Sequence, residues 1–404
     1  MSLPNVTSEV PRPTFELAQV FREYGAEYCR THFVTSPQRK VMRAILQCRT
    51  AALGGHVDEC ETCGHQQVSY NSCRNRHCPK CQGLETGLWV EAQLADLLPI
   101  EYYHVVFTLP HQLNGLARAY PREVYDLLFA AATQTLLEFG RRELGGELGI
   151  TAVLHTWGQT LQQHLHLHCI VTGGALAAEG GSFRRCRQGY LFGVLALSAV
   201  FRQRYVRGLE QWAERAGAKD EEGGRLSGEL RRLAEVLGGA EFVVYAKRPM
   251  SGPRQVIEYL SRYTQRVAIS NSRLESISQG VVSFRWKDYR AGGQVKLCQL
   301  PGAEFLRRFL QHVLPAGYVR IRHYGILASR GRREKLARCR ALLAAREGEP
   351  RGVPPAAVEW LESWREMKRE TCEQCGRGRM VRVGEWEWGV RPPPRVAVSE
   401  RKAA

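Results

Sequence analysis

Three histidines alternate within one short segment and could hold a metal ion. The stretch QQHLHLHCIV begins at Gln162 and places His164, His166 and His168 two residues apart. A β-strand repeats every two residues, so the three imidazoles would share one strand face, with two of them able to reach one ion. The other interpretation is an ordinary half-buried strand whose polar face is solvated. In either case the apolar residues between them face a core: Leu165, Leu167 and Cys169.

Tyrosine and arginine recur at helical spacing in the stretch VIEYLSRYTQRVAIS. Tyr259 and Tyr263 are four residues apart, as are Arg262 and Arg266, so each pair shares one face of a helix. A tyrosine hydroxyl has a pKa of about 10 and needs help to attack a phosphate, which a metal ion could give by neutralising charge on the phosphate oxygens. On DNA, such an attack would give a phosphotyrosine ester and a free 3′ hydroxyl. Tyrosines at this spacing are also common in helical cores, and both interpretations stay open.

The 13 cysteines include pairs with the C-x2-C spacing of zinc knuckles. Cys60–Cys63 and Cys78–Cys81 are 14 residues apart, which is typical of a four-cysteine zinc ribbon. We predict that these four thiolates bind one structural zinc ion. Further potential ligands lie in the same segment and form either a second zinc site or ordinary polar surface: His56, His65, Cys73 and His77.

A third knuckle lies near the C-terminal end of the sequence. Cys372 and Cys375 supply only half a zinc site, and Cys339 is a candidate for a distant partner. Basic residues between the ligands of the predicted ribbon are expected to contact DNA phosphates: Arg74, Arg76 and Lys80.

The charge of the chain favours a polyanionic partner such as a nucleic acid. Lysine and arginine number 57 against 40 acidic residues, a net charge of +17, and the excess is distributed along the whole sequence. No basic and then apolar leader opens the sequence, and no apolar run is long enough to span a membrane. Cysteine pairs in such a chain indicate metal binding in a reducing compartment, so we expect a cytoplasmic protein without membrane partners.

The elements that must position these residues divide into three segments. Residues 1–100 combine predicted helices with the cysteine-rich stretch. Residues 101–327 mix strands and helices, with a helical insertion at about 198–237. Residues 328–404 are basic and carry the third knuckle. Strands and helices alternate irregularly, which indicates the α+β class, while the pattern does not indicate an oligomeric state.

The combined motifs resemble a known group of enzymes. H-hydrophobic-H on a strand, followed by Y-x3-Y on a helix, resembles the HUH superfamily of single-strand DNA endonucleases. More narrowly, the chain resembles the two-tyrosine rolling-circle transposases of insertion-sequence family ninety-one. The matching stretches follow the family's order from about residue 50 to 340: GGHVDECETCGH, YNSCRNRHCPKCQ, YYHVVFTLPH, LHTWGQ, HLHLHC, EYLSRYTQRVAIS and RIRHYGILASR.

This resemblance implies a fold and a set of site residues. It implies an antiparallel sheet with flanking helices, preceded by a zinc-binding domain that recognises DNA. His166 and His168 would bind a divalent ion such as magnesium or manganese, Tyr259 and Tyr263 would be the nucleophiles, and the arginines beside them could steady phosphate oxygens. The chain has Leu165 where the family usually has proline, and Gln265 where a histidine is common. Candidates for the third ligand are therefore Gln265 first, then His164, Glu258 and Gln163.

The implied activity is the nicking and rejoining of single-stranded DNA during rolling-circle transposition, in association with a bacterial nucleoid. Three other functions fit part of the pattern. A replication initiator or conjugative relaxase would use the same chemistry. A zinc-ribbon regulator would bind DNA without cutting it. A zinc-dependent hydrolase of small substrates would explain neither the tyrosine pair nor the charge of +17.

Overall fold

The computed structural model describes residues 13–81, 96–218, 221–247, 250, 256, 267–347 and 371–386. Its helices are α1 (Leu17–Thr31), α2 (Ser36–Gln47), α3 (Asn114–Ala119), α4 (Pro121–Leu144), α5 (Val194–Gly217), α6 (Glu221–Gly238), α7 (Gly302–Leu310) and α8 (Arg332–Glu347). Its strands are β1 (Gly55–Cys60), β2 (Gln66–Tyr70), β3 (Tyr102–Thr108), β4 (Gly146–Trp157), β5 (Gln163–Ala177), β6 (Phe183–Arg185), β7 (Val243–Ala246), β8 (Leu274–Ser278), β9 (Val281–Asp288), β10 (Gln294–Pro301), β11 (Ile321–Gly325) and β12 (Met380–Trp386). The mixture confirms the predicted α+β class.

A six-stranded antiparallel sheet forms the centre of the molecule. Its strands follow the order β11-β4-β5-β3-β7, and β6 pairs with β5. One face is covered by α4, α5 and α6, which bury Leu128, Phe201 and Leu230 against it. The last two of these helices occupy the region of the predicted insertion. The alternation along β5 is as predicted, because three side chains face this core and are at most 1% exposed: Leu165, Leu167 and Cys169.

The opposite face of the central sheet changes character along β5. Toward the end of the strand it is apolar, where Ile170 packs with Leu336 and Leu343 of α8. Toward the beginning of the strand the same face carries His166 and His168. An apolar layer therefore borders a polar cluster on one surface, and this border positions the candidate site.

The two N-terminal helices share a core with a second sheet. α2 begins at a capping box in which Thr35 and Gln38 each bond the other's backbone N–H. The ring of Phe21 on α1 packs edge-on against Phe309 of α7 at 5.6 Å, and the three-stranded sheet β10-β9-β8 completes this core. Residues on both sides of the predicted boundary at residue 100 are thus buried together.

A third sheet joins distant parts of the chain in the order β12-β1-β2. β1 and β2 form a hairpin, and β12 adds to β1 as an antiparallel edge strand. The Trp386 ring at the end of β12 packs edge-on against Tyr70 at 5.9 Å. The C-terminal knuckle region is therefore docked on the N-terminal cysteine-rich segment. Among the described helices, none is long and apolar enough to cross a lipid bilayer.

Candidate metal centre and cysteine clusters

Three histidines on neighbouring strands converge on the polar face of the central sheet. His155 of β4 lies directly opposite His166 of β5, and His168 follows on the same face. One ring nitrogen from each of the three lies within 4.8 Å of the others. His164 is exposed and is not part of this cluster. The strand geometry predicted from sequence therefore brings two of the expected histidines together with a third that sequence reasoning missed.

Hydrogen bonds at Nδ1 orient the rings of the two β5 histidines. The Nδ1 atom of His166 is 2.8 Å from the backbone carbonyl of His164, so Nδ1 carries the proton and Nε2 keeps its lone pair. The Nδ1 atom of His168 is 2.8 Å from Nε2 of His104 on β3. Burial lowers the pKa of both His166 and His104 to about 3. These imidazoles are therefore neutral at pH 7, the form that binds metal ions.

The turn between β4 and β5 holds His155 in place. His155 is buried and stacks on Trp157 with ring centres 4.9 Å apart. Within this turn, the carbonyl of Leu161 accepts hydrogen bonds from Gln311 Nε2 at 2.9 Å and His312 Nε2 at 3.0 Å. Leu161 has φ of 61°, a left-handed conformation that fixes the turn. The sequence carries a signal for His155, because GITAVLHTW and LHLHCIV are both strand-like stretches and, as paired neighbours, would bring their histidines onto one sheet face.

Several residues predicted for this site lie outside the described residues: Glu258, Tyr259, Arg262, Tyr263, Gln265 and Arg266. Val256, just before them, is described and is fully buried in the apolar cluster that contains Ile170. Gln163, another candidate ligand, accepts a hydrogen bond from Arg118 at 3.1 Å through its side-chain oxygen. Within the described ranges, His155 is the side chain that completes the histidine cluster.

The first cysteine cluster assembles around the open end of the β1–β2 hairpin and contains Cys48, Cys73, Cys78 and Cys81. Cys48 ends α2, and the other three follow β2. The Cys81 Sγ atom is 3.3 Å from that of Cys48 and 3.5 Å from that of Cys73. Hydrogen bonding with Cys73 lowers the pKa of the Cys48 thiol, which favours the thiolate that binds zinc.

The second cysteine cluster joins two knuckles from opposite ends of the chain: Cys60, Cys63, Cys372 and Cys375. The Sγ atoms of Cys60 and Cys375 are 3.7 Å apart, and those of Cys63 and Cys372 are 3.6 Å apart. Backbone N–H groups of Arg377 and Gly378 lower the pKa of Cys375 to about 6. Both clusters have the four-sulfur composition of structural zinc sites.

These clusters correct the predicted four-cysteine ribbon, because the structure divides its two knuckles between two sites. Cys60 and Cys63 lie at the turn of the β1–β2 hairpin, whereas Cys78 and Cys81 lie beyond its open end. A strand of five residues spans about 17 Å, so the hairpin holds the two knuckles too far apart for one ion.

The other predicted zinc ligands are also redistributed. Of the set His56, His65, Cys73 and His77, Cys73 alone belongs to a metal-ligand cluster in the part of the chain that the structure describes. His56 pairs with Asp58 at 3.2 Å, and the carbonyl of His65 accepts from the Cys60 N–H at 2.9 Å. His77 is buried, which lowers its pKa to about 3. Cys339 is wrong as the partner of the C-terminal knuckle, because it is buried in the apolar cluster beside Leu336.

The basic residues of the cysteine-rich segment differ in their surroundings. Lys80 forms an ion pair with Glu16 at 2.6 Å, and Arg76 donates to the Tyr318 carbonyl at 2.7 Å. Both side chains therefore fasten the segment to the rest of the protein. Arg74 is exposed and sits in the left-handed conformation at φ of 48°. Of the three predicted phosphate contacts, Arg74 and Arg76 are exposed residues and Lys80 is half-buried.

Comparison with known proteins identifies the family to which these sites belong. Residues 20–109 match a family model described as "Transposase zinc-binding domain", and residues 149–335 match one described as "Putative transposase". The first range contains the first cysteine cluster, and the second contains the histidine cluster. No solved structure shows significant similarity to the chain.

Two full-length relatives are similar along most of the chain. "Putative transposase y4qJ" of Sinorhizobium fredii is 44% identical over 397 residues, which cover 94% of this chain and 97% of that protein. The transposase for insertion sequence element IS801 of Pseudomonas savastanoi pv. phaseolicola is 28% identical over 341 residues, 79% of this chain and 77% of that protein. Together with the two domain matches, this similarity confirms the resemblance predicted from the motifs. The chain belongs to the transposases of insertion-sequence family ninety-one, which carry a zinc-binding domain on their N-terminal side.

Proposed function

We propose that this transposase cuts and rejoins single-stranded DNA through tyrosine esters, as rolling-circle transposition requires. The observation that carries the proposal is the position of Val256 relative to the histidine cluster. Val256 is buried with Ile170, and Ile170 lies two residues after His168 on the same face of β5. Val256, three residues before Tyr259, is therefore packed on the sheet face that carries the histidines.

The spacing of the tyrosines supports their assignment as nucleophiles. Tyr259 and Tyr263 follow Val256 by three and seven residues, a spacing that would put all three side chains on one face if this stretch is an α-helix. Because Val256 is buried against the sheet, that face would direct both hydroxyls toward the histidine side. At the same spacing the arginines of the motif would flank this face and could steady the phosphate oxygens of a bound strand.

The histidine cluster suits a divalent ion. His155, His166 and His168 present one ring nitrogen each, and a three-nitrogen set leaves other positions for water or phosphate oxygens. We assign magnesium or manganese to this site; when bound, the ion would neutralise charge on the scissile phosphate. The residues themselves orient the site, because each β5 imidazole is fixed by a hydrogen bond at its Nδ1 atom.

The reaction conserves the energy of the phosphodiester bond. A tyrosine Oη atom attacks phosphorus, the bond from phosphorus to the 3′ oxygen breaks, and the tyrosine proton leaves through a base or water while the 3′ oxygen takes one up. The 5′ end is then held as a tyrosine ester, which a DNA hydroxyl can attack to join strands without ATP. Two tyrosines allow two such transfers in succession on one protein.

The zinc-binding domain is assigned to DNA recognition. The first cysteine cluster would hold one zinc ion and shape the loop from Cys73 to Cys81, on which Arg74 is exposed. A guanidinium in that position can contact a phosphate and fix the register of the protein on DNA. The net charge of +17 supports a DNA partner along a larger surface.

The test is a denaturing gel with single-stranded oligonucleotides from the ends of the element that encodes this chain. In manganese or magnesium, a 3′-labelled strand should shift to a band that survives boiling in detergent, and a 5′-labelled strand should shorten to a product with an extendable 3′ hydroxyl. The double variant Tyr259→Phe/Tyr263→Phe should give no adduct. Tyr289→Phe, which alters an exposed tyrosine elsewhere, should react like the wild type.

Each failure has a distinct meaning. An adduct that persists in the double variant would exclude these two tyrosines as the nucleophiles. Tight DNA binding with no adduct in the wild type would overturn the enzymatic proposal in favour of a zinc-dependent DNA-binding regulator. Efficient cleavage of a plasmid replication origin, with no action on the ends of the element, would favour a replication initiator or relaxase.

A further inference from the structure

The C-terminal knuckle lies outside both regions that match family models, yet its sulfurs meet those of the N-terminal knuckle. We propose that Cys60, Cys63, Cys372 and Cys375 bind a second structural zinc ion, which ties the C-terminal segment to the zinc-binding domain. The proposal does not depend on the tyrosine chemistry. It assigns the third C-x2-C pair a partner that is 309 residues away for Cys63 and Cys372.

The sulfur positions match a tetrahedral zinc site. A zinc–sulfur bond of about 2.3 Å places the sulfurs of a regular tetrahedron about 3.8 Å apart. The Cys60–Cys375 and Cys63–Cys372 distances are 3.7 and 3.6 Å. All four sulfurs lie within 4.8 Å of one another, so a single ion can reach each of them.

The two knuckles have the same local construction. In CETCG and CEQCG, the glycine after the second cysteine adopts a left-handed conformation, with φ of 69° at Gly64 and 63° at Gly376. Each glycine N–H bonds the carbonyl of the first cysteine, at 3.0 Å in the N-terminal knuckle and 2.8 Å in the C-terminal one. Two similar turns facing each other are the arrangement that encloses a four-thiolate zinc ion.

Backbone N–H groups are directed at the sulfurs. The N–H of Thr62 lies 3.4 Å from Cys60 Sγ, and the N–H of Gly378 lies 3.3 Å from Cys375 Sγ. Such donors stabilise a thiolate more than a thiol, and a metal-bound cysteine is a thiolate. The hydrogen-bond pattern therefore fits ligand sulfurs better than buried neutral thiols.

Among the described residues of the C-terminal segment, few apolar side chains are buried where the two knuckles meet. The buried residues where the knuckles meet are Cys60, Cys372 and Met380, with Cys375 packed against them. A cluster of this size cannot stabilise a separate unit, and small units of this kind are usually held by disulfides or a metal. A zinc ion would add to the pairing of β12 with β1 and to the Trp386–Tyr70 contact in holding the C-terminal segment in place.

The first test counts zinc in the purified full-length protein by elemental analysis. Relative to wild type, Cys372→Ser/Cys375→Ser should lose one zinc ion per chain. Adding Cys60→Ser/Cys63→Ser should lose no more, because both pairs belong to one site. Adding Cys78→Ser/Cys81→Ser instead should remove a second ion. Cys298→Ser, a half-buried cysteine outside both clusters, is the matched control and should keep the wild-type content.

A second measurement on the wild-type protein covers the case in which a variant fails to fold. In the zinc-loaded chain, alkylation mapped by mass spectrometry should find the four sulfurs protected, and a chelator should release all four together. Rapid alkylation of Cys372 and Cys375 before chelation, while Cys60 and Cys63 stay protected, would overturn the proposal. So would a disulfide between the knuckles in the unreduced protein, or a zinc content unchanged by the loss of the C-terminal pair.

Discussion

Nε2 of His104 lies 2.8 Å from Nδ1 of His168, behind the histidine cluster. For His168 to bind an ion through Nε2, its Nδ1 atom must carry the proton and donate a hydrogen bond to Nε2 of His104. The backbone carbonyl of His104 in turn accepts the Lys247 N–H at 2.9 Å, where β3 meets the end of β7. We therefore propose that His104 is a positioning residue, which would select the tautomer of His168 for metal binding.

We expect His104→Ala to weaken manganese binding to the zinc-loaded protein by about 10- to 100-fold, the usual cost of losing a residue that orients a ligand. His104→Gln should recover part of this affinity, because a glutamine oxygen can accept the same hydrogen bond. Isothermal titration calorimetry measures both changes, with His111→Ala, an exposed histidine, as the control. Equal affinities for the alanine and glutamine variants would contradict the positioning role.

The identity of the third metal ligand gives a second prediction. His155→Ala should remove divalent-ion binding at the site and abolish metal-dependent adduct formation, because the cluster then retains only two imidazoles. Gln265→Ala should keep manganese binding within about threefold of wild type, a difference of about 0.6 kcal/mol. The two variants are compared by manganese titration and by the denaturing gel. The reverse order of effects would return the ligand role to Gln265.

Buried neutral histidines predict a loss of stability in mild acid. His312 accepts from the Thr156 hydroxyl at Nδ1, at 3.1 Å, and burial lowers its pKa to about 4. Its ordinary pKa is about 6.5, so below that pH the unfolded chain binds more protons than the folded one. The free energy of unfolding should therefore fall by about 1.4 kcal/mol per pH unit from this residue between pH 6.5 and 4.

Substituting His312 isolates this contribution from the other titrating groups and from zinc release. His312→Gln keeps a donor and an acceptor but does not titrate. Denaturant unfolding at pH 7, 6 and 5 should show a shallower pH dependence for this variant than for wild type. Parallel pH profiles would mean that His312 is not neutral in the folded protein.

Two glycines near β12 give a matched test of the second cysteine cluster without changing any ligand. A Cβ atom at Gly378 would lie 2.1 Å from Cys60 Sγ, whereas a Cβ at Gly384 would meet nothing within 4 Å. Gly378→Ala should therefore lower zinc occupancy of this cluster, and Gly384→Ala should leave it unchanged. Zinc content and chelator release rates measure the difference; full occupancy and wild-type release in Gly378→Ala would contradict the expected displacement of Cys60 Sγ from the cluster.

Local periodicity accounts for what could be predicted of the fold and the histidine site. The alternation of histidine with apolar residues predicted β5 and its two faces. The hairpin of β9 and β10 could be predicted from the glycines between the two strands, and the structure shows why: Gly292 and Gly293 have φ of 67° and 85°. In both cases the determining interactions lie within a few residues along the chain.

The third metal ligand and the cysteine pairing depend on long-range geometry. His155 meets His166 only through the register of two paired strands, and a shift of one residue would turn it to the other face. A C-x2-C motif brings two sulfurs together but does not determine which other pair joins them. The length of the β1–β2 hairpin determines the pairing, because it separates Cys63 from Cys78 in space. The number of residues between the two cysteines does not reveal this distance.

The distance along the chain between the two knuckles also sets an order in time. Cys63 precedes Cys372 by 309 residues, and at about 5–20 residues per second synthesis takes roughly 15–60 s to cover that length. During this interval the first knuckle leaves the ribosome with half of its ligands, and an interrupted chain never acquires the others. Occupancy of the second zinc site would therefore distinguish chains that contain Cys372 and Cys375 from chains that end before them. A truncated fragment that still binds DNA through its N-terminal part would lack this zinc ion.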